Sequence, residues 1–273
     1  MKKIGLEEQK RIQLEMLVDF DRFCTDHQLR YYLHCGTLLG AVRHQGYIPW
    51  DDDIDVSMPR WDYEQFIRLY NEQRVNPDYE VISFLQNPDF YLPFAKLIHR
   101  RTQLAEAVDS DLKLGIYLDI FPLDNMGDTK EEAKRLFDEV YVLRQKLIVQ
   151  NLKLIKERSL YKNIAIFFMK LFAGKNKRRG LIRQIDEKCR KYESEKIGRY
   201  IAVNCAANYG EKEIMPGEWY EDYIVVPFEE YRFRIPAGYD GNLKQFYGDY
   251  MKLPPEEKRK SHHVYDAEWK DAA

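Results

Sequence analysis

The chain has 273 residues, 43 Lys+Arg against 45 Asp+Glu, a formal net charge of −2 and 45% hydrophobic residues. That composition supports one large or two small globular domains, and the near-neutral charge excludes nucleic acid as the main partner. Cys24, Cys35, Cys189 and Cys205 lack zinc-site spacing, the N-terminal residues lack a signal-peptide core, and no apolar run is long enough to span a bilayer. A cytoplasmic protein is expected.

Leu14, Leu17 and Val18 have helical spacing and predict a helix over 6–28. A short strand over 30–34 ends at Gly36, and a short helix over 38–42 is stopped by Gly46 and Pro49. The next strand, over 53–58, is closed by Pro59. Trp61, Phe66, Ile67 and Tyr70 mark a following helix. Further strands are expected over 79–85, 94–99 and 115–121. From Lys130 to Glu195 there is no proline and the text is dense in Lys, Arg, Glu and Leu, which predicts a run of helices. Strands return over 200–204, 223–226 and 231–235, with a short helix over 243–247. The fold class expected is mixed α/β (α+β): a mixed sheet flanked by helices, with a helical insertion. Its parts are a catalytic core over 1–128, the insertion over 129–197 and a C-terminal part over 198–273 that completes the core.

The chemistry concentrates in Asp51-Asp52-Asp53-Ile54-Asp55, four carboxylates in five positions. Each disfavours ionisation of its neighbours, and a divalent cation removes that cost; an oxygen-only donor set selects Mg²⁺ or Mn²⁺. Asp53 and Asp55 alternate with Ile54 and Val56, so on a strand both point to one face. This suits a metal holding a phosphate substrate, and makes phosphoryl-type transfer the leading expectation. Asp119, between Leu118 and Ile120, is the expected third acid, with Asp124 as its competitor. Gly36 and Thr37 permit close backbone approach to a phosphate. Lys96 and Arg43 are candidates for phosphate contact. His262 and His263 are candidates for phosphate binding or acid–base work, or for a surface capping role. Asp51 and Asp52 are expected to orient the loop.

The stretch from Tyr32 to His44 (YLHCGTLLGAVRH), followed by Gly46-Tyr47-Ile48-Pro49-Trp50-Asp51-Asp52-Asp53-Ile54-Asp55, resembles the signature of the LicD family. Phe94-Ala95-Lys96, Leu118–Asp124, Ile235–Tyr239 and the tail with Tyr247–Met251, Pro254-Pro255 and His262-His263 resemble the family as well. The resemblance implies a nucleotidyltransferase-like core. It also implies transfer of phosphocholine from CDP-choline, or of a similar phospho-alcohol from its CDP donor, to a glycan of the cell surface, such as teichoic acid of the cell wall or lipopolysaccharide. In that scheme Asp53 and Asp55 bind Mg²⁺, Asp119 completes the site and takes the acceptor proton, and Lys96 pairs with donor phosphate.

Alternatives stay open on the residues alone: ribitol or glycerol phosphate as cargo, a metal-dependent glycosyltransferase (Asp51–Asp53 and Asp53–Asp55 each read as DxD), or a glycan-binding module. A choline headgroup asks for aromatic faces, with Trp50, Tyr47, Trp61, Tyr117 and Trp219 as candidates. Finally, the apolar run from Ile164 to Phe172 leads into Lys175, Lys177, Arg178 and Arg179. It fits either an interfacial helix docking at the inner face of the membrane, where a lipid-linked acceptor would be met, or a buried helix with a basic end.

Overall fold

A computed structural model describes residues 2–105, 108–153, 160–171, 175–259 and 266–270. The chain opens with β1 (Lys2–Ile4) and α1 (Leu6–Asp26), whose Ile12, Met16, Leu17, Phe20 and Phe23 form a buried stripe. Next come β2 (Tyr32–Leu33), α2 (Cys35–His44), β3 (Asp55–Pro59) and α3 (Arg60–Gln73). The strands β4 (Tyr79–Ile82), β5 (Ala95–His99), β6 (Thr102–Leu104) and β7 (Tyr117–Asn125) follow. Three helices come after them: α4 (Lys130–Asn151), α5 (Leu160–Leu171) and α6 (Lys175–Cys189). The remainder holds β8 (Tyr200–Ala202), β9 (Met215–Pro216), β10 (Tyr223–Phe228), β11 (Tyr231–Pro236), α7 (Tyr239–Tyr247) and β12 (Ala267–Trp269).

The main sheet has the order β2-β3-β7-β5-β4. β3 and β7 run parallel; β2 with β3, β5 with β7, and β4 with β5 are antiparallel. A parallel pair needs a crossover, and α3 packs across both β3 and β7 to supply the cover. As the central strand, β7 is buried at every position but Asp119 and Asn125, which accounts for its nearly continuous apolar text. The mixed α/β class expected from the sequence is the one found.

β7 runs past the expected end at residue 121 and includes Pro122 and Asp124. Pro122 is tolerated because the ladder to β5 stops at Ile120, so no hydrogen bond to that strand is lost. From there β8 takes over, pairing with Asp124 and Asn125. A second sheet, β1-β12-β6, was not anticipated. Its strands have three residues each, too short for a period-two signal, and β12 joins the other two by pairing with β1 on one side and β6 on the other.

α4 starts at a capping box in which Thr129 and Glu132 satisfy each other's backbone N–H groups. α4 packs on α6, and α6 is tied to the sheet by a buried ion cluster. Arg60 donates to both Asp124 oxygens at 2.7 and 3.0 Å and to Asp186 at 2.9 Å. Asp124, weighed as a third site acid, is thus committed to a structural ion pair.

Candidate active site

Three side chains from three adjacent strands form one row. Asp55 of β3 is in register with Asp119 of β7, and Asp119 is in register with Lys96 of β5. Registered residues project from the same face of a sheet, so the two acids and the lysine face one another. Lys96 Nζ donates to Asp119 Oδ1 at 2.5 Å and lies 3.1 Å from the centroid of the Tyr117 ring. Tyr117 is two residues before Asp119, hence on the same face.

The acidic loop acts on this row, since Asp53 and Asp51 both raise the Asp55 carboxyl. Asp51, Asp52 and Asp53 each offer a carboxylate oxygen, all within 4.8 Å of one another. Asp51 lies against the first turn of α2, where an added Cβ on Gly36 would stand 2.6 Å from its Oδ2. Glycine at 36 therefore makes room for the carboxylate, and the helix N-terminus favours an anion there. Cys35 begins the same turn with φ of 43°, in the left-handed region.

The start of β3 is pinned from two directions. The Asp55 N–H donates to Thr37 Oγ1 at 2.9 Å, and its carbonyl accepts from the His34 N–H at 2.9 Å. Thr37 uses an oxygen lone pair in this bond and keeps its own proton to donate. On the other side, the Gln9 and Gln13 amides donate to the Asp52 carbonyl at 3.0 and 3.2 Å. Gln13 reaches the Tyr117 carbonyl as well, at 3.2 Å, so α1 braces the acidic loop against β7.

Electrostatically the site is strained by its acids. Burial pushes the Asp55 carboxyl well above the usual carboxylate range; Asp53, Asp119 and Asp51 push it further, against the pull of Lys96. Burial and then Asp52 raise Asp51, partly offset by its hydrogen bond with Asp53. His34, buried behind the row, is pushed down to about 4 by burial and stays neutral. A divalent cation fits here, since every acid offers hard oxygen donors and ionisation is the state the crowding opposes.

Other expected site residues lie in varied places. Arg43 donates to the Tyr250 carbonyl at 2.8 Å, linking α2 to the segment after α7. Lys96, expected on donor phosphate, is ion-paired with Asp119. His262, His263 and the side chains of Lys175 and Lys177 lie outside the described residues. Among the aromatic candidates, Tyr47 carries Lys10 on its face at 5.0 Å and Trp50 carries Arg259 at 5.7 Å. Trp219 is wedged against Gly238 and Gly241.

Sequence reasoning passed over Gln9 and Gln13. They fall one turn apart on the buried stripe of α1, and a pair of amides in an apolar stripe is a legible signal. It also passed over Tyr209 and Glu213, and named Tyr247 only as part of the family-like tail, since nothing in their spacing connects them to the acids.

The row of acids on a mixed sheet, capped by the Gly36-Thr37 turn, defines a nucleotidyltransferase-type site. Residues 28–156 match the family model described as LicD/FKTN/FKRP, nucleotidyltransferase domain. The chain is 32% identical over 98% of its length, and 99% of the relative's, to the lipopolysaccharide cholinephosphotransferase LicD of Haemophilus influenzae. It belongs to the LicD family and is a phosphotransferase. Uncharacterized proteins of Rickettsia typhi and Rickettsia prowazekii are 33% and 35% identical to it over 85 residues, 31% of this chain and 26% and 30% of theirs.

Proposed function

We propose that the protein transfers phosphocholine from CDP-choline to a hydroxyl of a lipopolysaccharide-type glycan precursor and releases CMP. The carrying observation is the Asp55–Asp119–Lys96 row beside the Asp51–Asp53 cluster. The cholinephosphotransferase name of the Haemophilus relative supports choline as cargo and lipopolysaccharide over teichoic acid as acceptor.

Asp53, Asp55 and Asp119 would hold Mg²⁺ or Mn²⁺, and the bound cation supplies charge neutralisation at the donor phosphates. Asp119 takes the proton of the attacking glycan hydroxyl. Lys96 positions Asp119, with one carboxylate oxygen fixed and the lysine itself fixed over Tyr117. Gly36 and Thr37 line the approach of the donor, and Thr37 has a proton to offer it. Arg43 holds the segment at Tyr250 in place and adds positive charge at the loop side, and His262 and His263 are assigned to substrate contact.

The acceptor is taken to be lipid-linked and met at the inner face of the membrane by α5. Tyr161, Ile164, Phe167 and Phe168 are all exposed there, beside a basic stretch, which suits an anionic leaflet. No described helix is long and apolar enough to cross a membrane. Sedimentation with anionic liposomes tests this placement. Loss of binding in a Phe167→Glu, Phe168→Glu variant is expected, and indifference to that change would discard it.

The donor is tested by calorimetric titration with CDP-choline, CDP-ribitol, CDP-glycerol and a UDP-sugar, each with Mg²⁺ and with EDTA. Metal-dependent binding of CDP-choline alone is expected. Selective binding of another CDP-alcohol would replace the cargo, and a UDP-sugar preference would replace the reaction.

A further inference from the structure

A quaternary ammonium has no N–H to donate, so a protein holds it with aromatic ring faces and nearby negative charge. Three of the aromatic candidates are already engaged: the Tyr117, Tyr47 and Trp50 rings carry Lys96, Lys10 and Arg259. A different pair stands beside the acid row. Tyr209, in the loop after β8, and Tyr247, at the end of α7, meet with ring centroids 5.5 Å apart at 82°. Their hydroxyls are 3.0 Å apart, one donating to the other. Phe246 stacks on one face of Tyr209 at 5.1 Å, and Tyr209 nevertheless remains 38% exposed.

The corner adjoins the acids through a short chain of contacts. Phe246 meets the His34 ring at 6.5 Å, and the His34 N–H is bonded to the Asp55 carbonyl. Burial raises both phenols, and Cys35 and Asp55 add to the rise, so the pair stays neutral within the field of the Asp55 carboxylate. Tyr209 is backed by Phe246, its hydroxyl is paired with that of Tyr247, its ring is partly exposed, and the Asp55 carboxyl acts on both phenols. This is what a trimethylammonium group requires and what a neutral polyol does not use.

We infer that Tyr209 and Tyr247 form the subsite for the quaternary ammonium of the donor, and thereby set its preference for choline over uncharged alcohols. This rests on the donor proposed above. Choline's two-carbon bridge separates ammonium from phosphate, so a phosphate held at Asp53, Asp55 and Asp119 leaves the headgroup to the neighbouring corner.

The test is titration of the full chain, with divalent cation present, using CDP-choline, its neutral carbon isostere CDP-3,3-dimethylbutanol, and CMP. The wild-type protein is expected to bind CDP-choline about tenfold more tightly than the isostere. Tyr209→Ala and Tyr247→Ala should erase that preference while leaving CMP affinity within about twofold, which also shows that they fold. Tyr209→Phe and Tyr247→Phe should keep the preference, because the ring face and not the hydroxyl does the binding. Alanine variants that retain the full preference, or that lose CMP equally, would overturn the subsite. A wild-type protein that binds no CDP-choline would overturn the donor and the subsite together, an outcome seen before any variant is made.

Discussion

Asp119 stands directly across from Asp55 in the parallel β3–β7 pairing, and its other neighbour in the sheet is Lys96. Two carboxylates in one row repel, and a single lysine on the far side leaves the excess negative charge at the open end, toward Asp53. The row carries its counter-charge on one acid only. It separates the duties of the acids: Asp119 is oriented by protein, whereas Asp55 waits for a partner.

Removing Lys96 breaks an ion pair between a buried lysine and the half-buried Asp119. Lys96→Met is expected to cost about 3–5 kcal/mol of stability and to abolish transfer. Adding Asp119→Leu should recover much of the stability in urea denaturation and none of the activity. Recovery of activity in the double variant would show that neither group takes part in the reaction.

Asp119 and Asp124 lie on one strand and are expected to behave oppositely. Asp119→Asn should reduce turnover by at least about a hundredfold, as for loss of a general base, and should also cost stability, because it discharges the partner of the buried Lys96. Asp124→Asn, which discharges one partner of the buried Arg60, should cost about 3 kcal/mol and leave kcat near wild type. Equal kcat losses in the two would contradict the division into site acid and structural acid.

Metal should reverse the effect of neutralising Asp55. Without a divalent cation, Asp55→Asn relieves repulsion from Asp53, Asp119 and Asp51 and should raise the melting temperature. With Mg²⁺ or Mn²⁺ at saturation the wild-type chain gains linkage stability that the variant lacks, so the order inverts. Differential scanning fluorimetry with and without EDTA reads both. Parallel curves would argue against metal binding at this residue.

Glu213 gives a pH signature. Burial raises its carboxyl from the ordinary 4.5 to about 7, against hydrogen bonds from the Tyr209 and Asn208 backbones and the pull of Arg144. The folded chain therefore holds this proton more tightly than the unfolded chain does. Its contribution to stability is greatest below about pH 4.5, falls as pH rises toward 7, and is fully lost above about 7. Glu213→Gln removes that dependence. Relative to wild type, the variant should gain up to about 3 kcal/mol between pH 4.5 and 8, measured by denaturant titration at each pH. A constant difference across the range would mean that Glu213 is ionised throughout.

The acid cluster and its alternation with Ile54 and Val56 were legible in the sequence, because charge crowding and period-two patterning are local properties. So were the long helices and most strands of the main sheet, whose apolar spacing extends over enough residues to be read. The three-residue strands β1, β6 and β12 were not, since so short a segment acquires its pairing only from what lies beside it.

The division of labour follows from the range of the forces involved. Sequence by itself determined where carboxylates crowd together and that Gly36 would admit a close neighbour; the shared strand face expected for Asp53 and Asp55 is not found, because β3 begins at Asp55 and leaves Asp53 in the loop before it. Sequence favoured Asp119 over Asp124 as their companion, and the tertiary structure gives the physical reason. Both lie on β7; strand register places Asp119 beside Asp55, while Arg60 claims Asp124. It alone brought Tyr209 and Tyr247 to the acids, across more than half of the chain. Contacts between residues so far apart arise from sheet order and helix packing, and no local pattern encodes them.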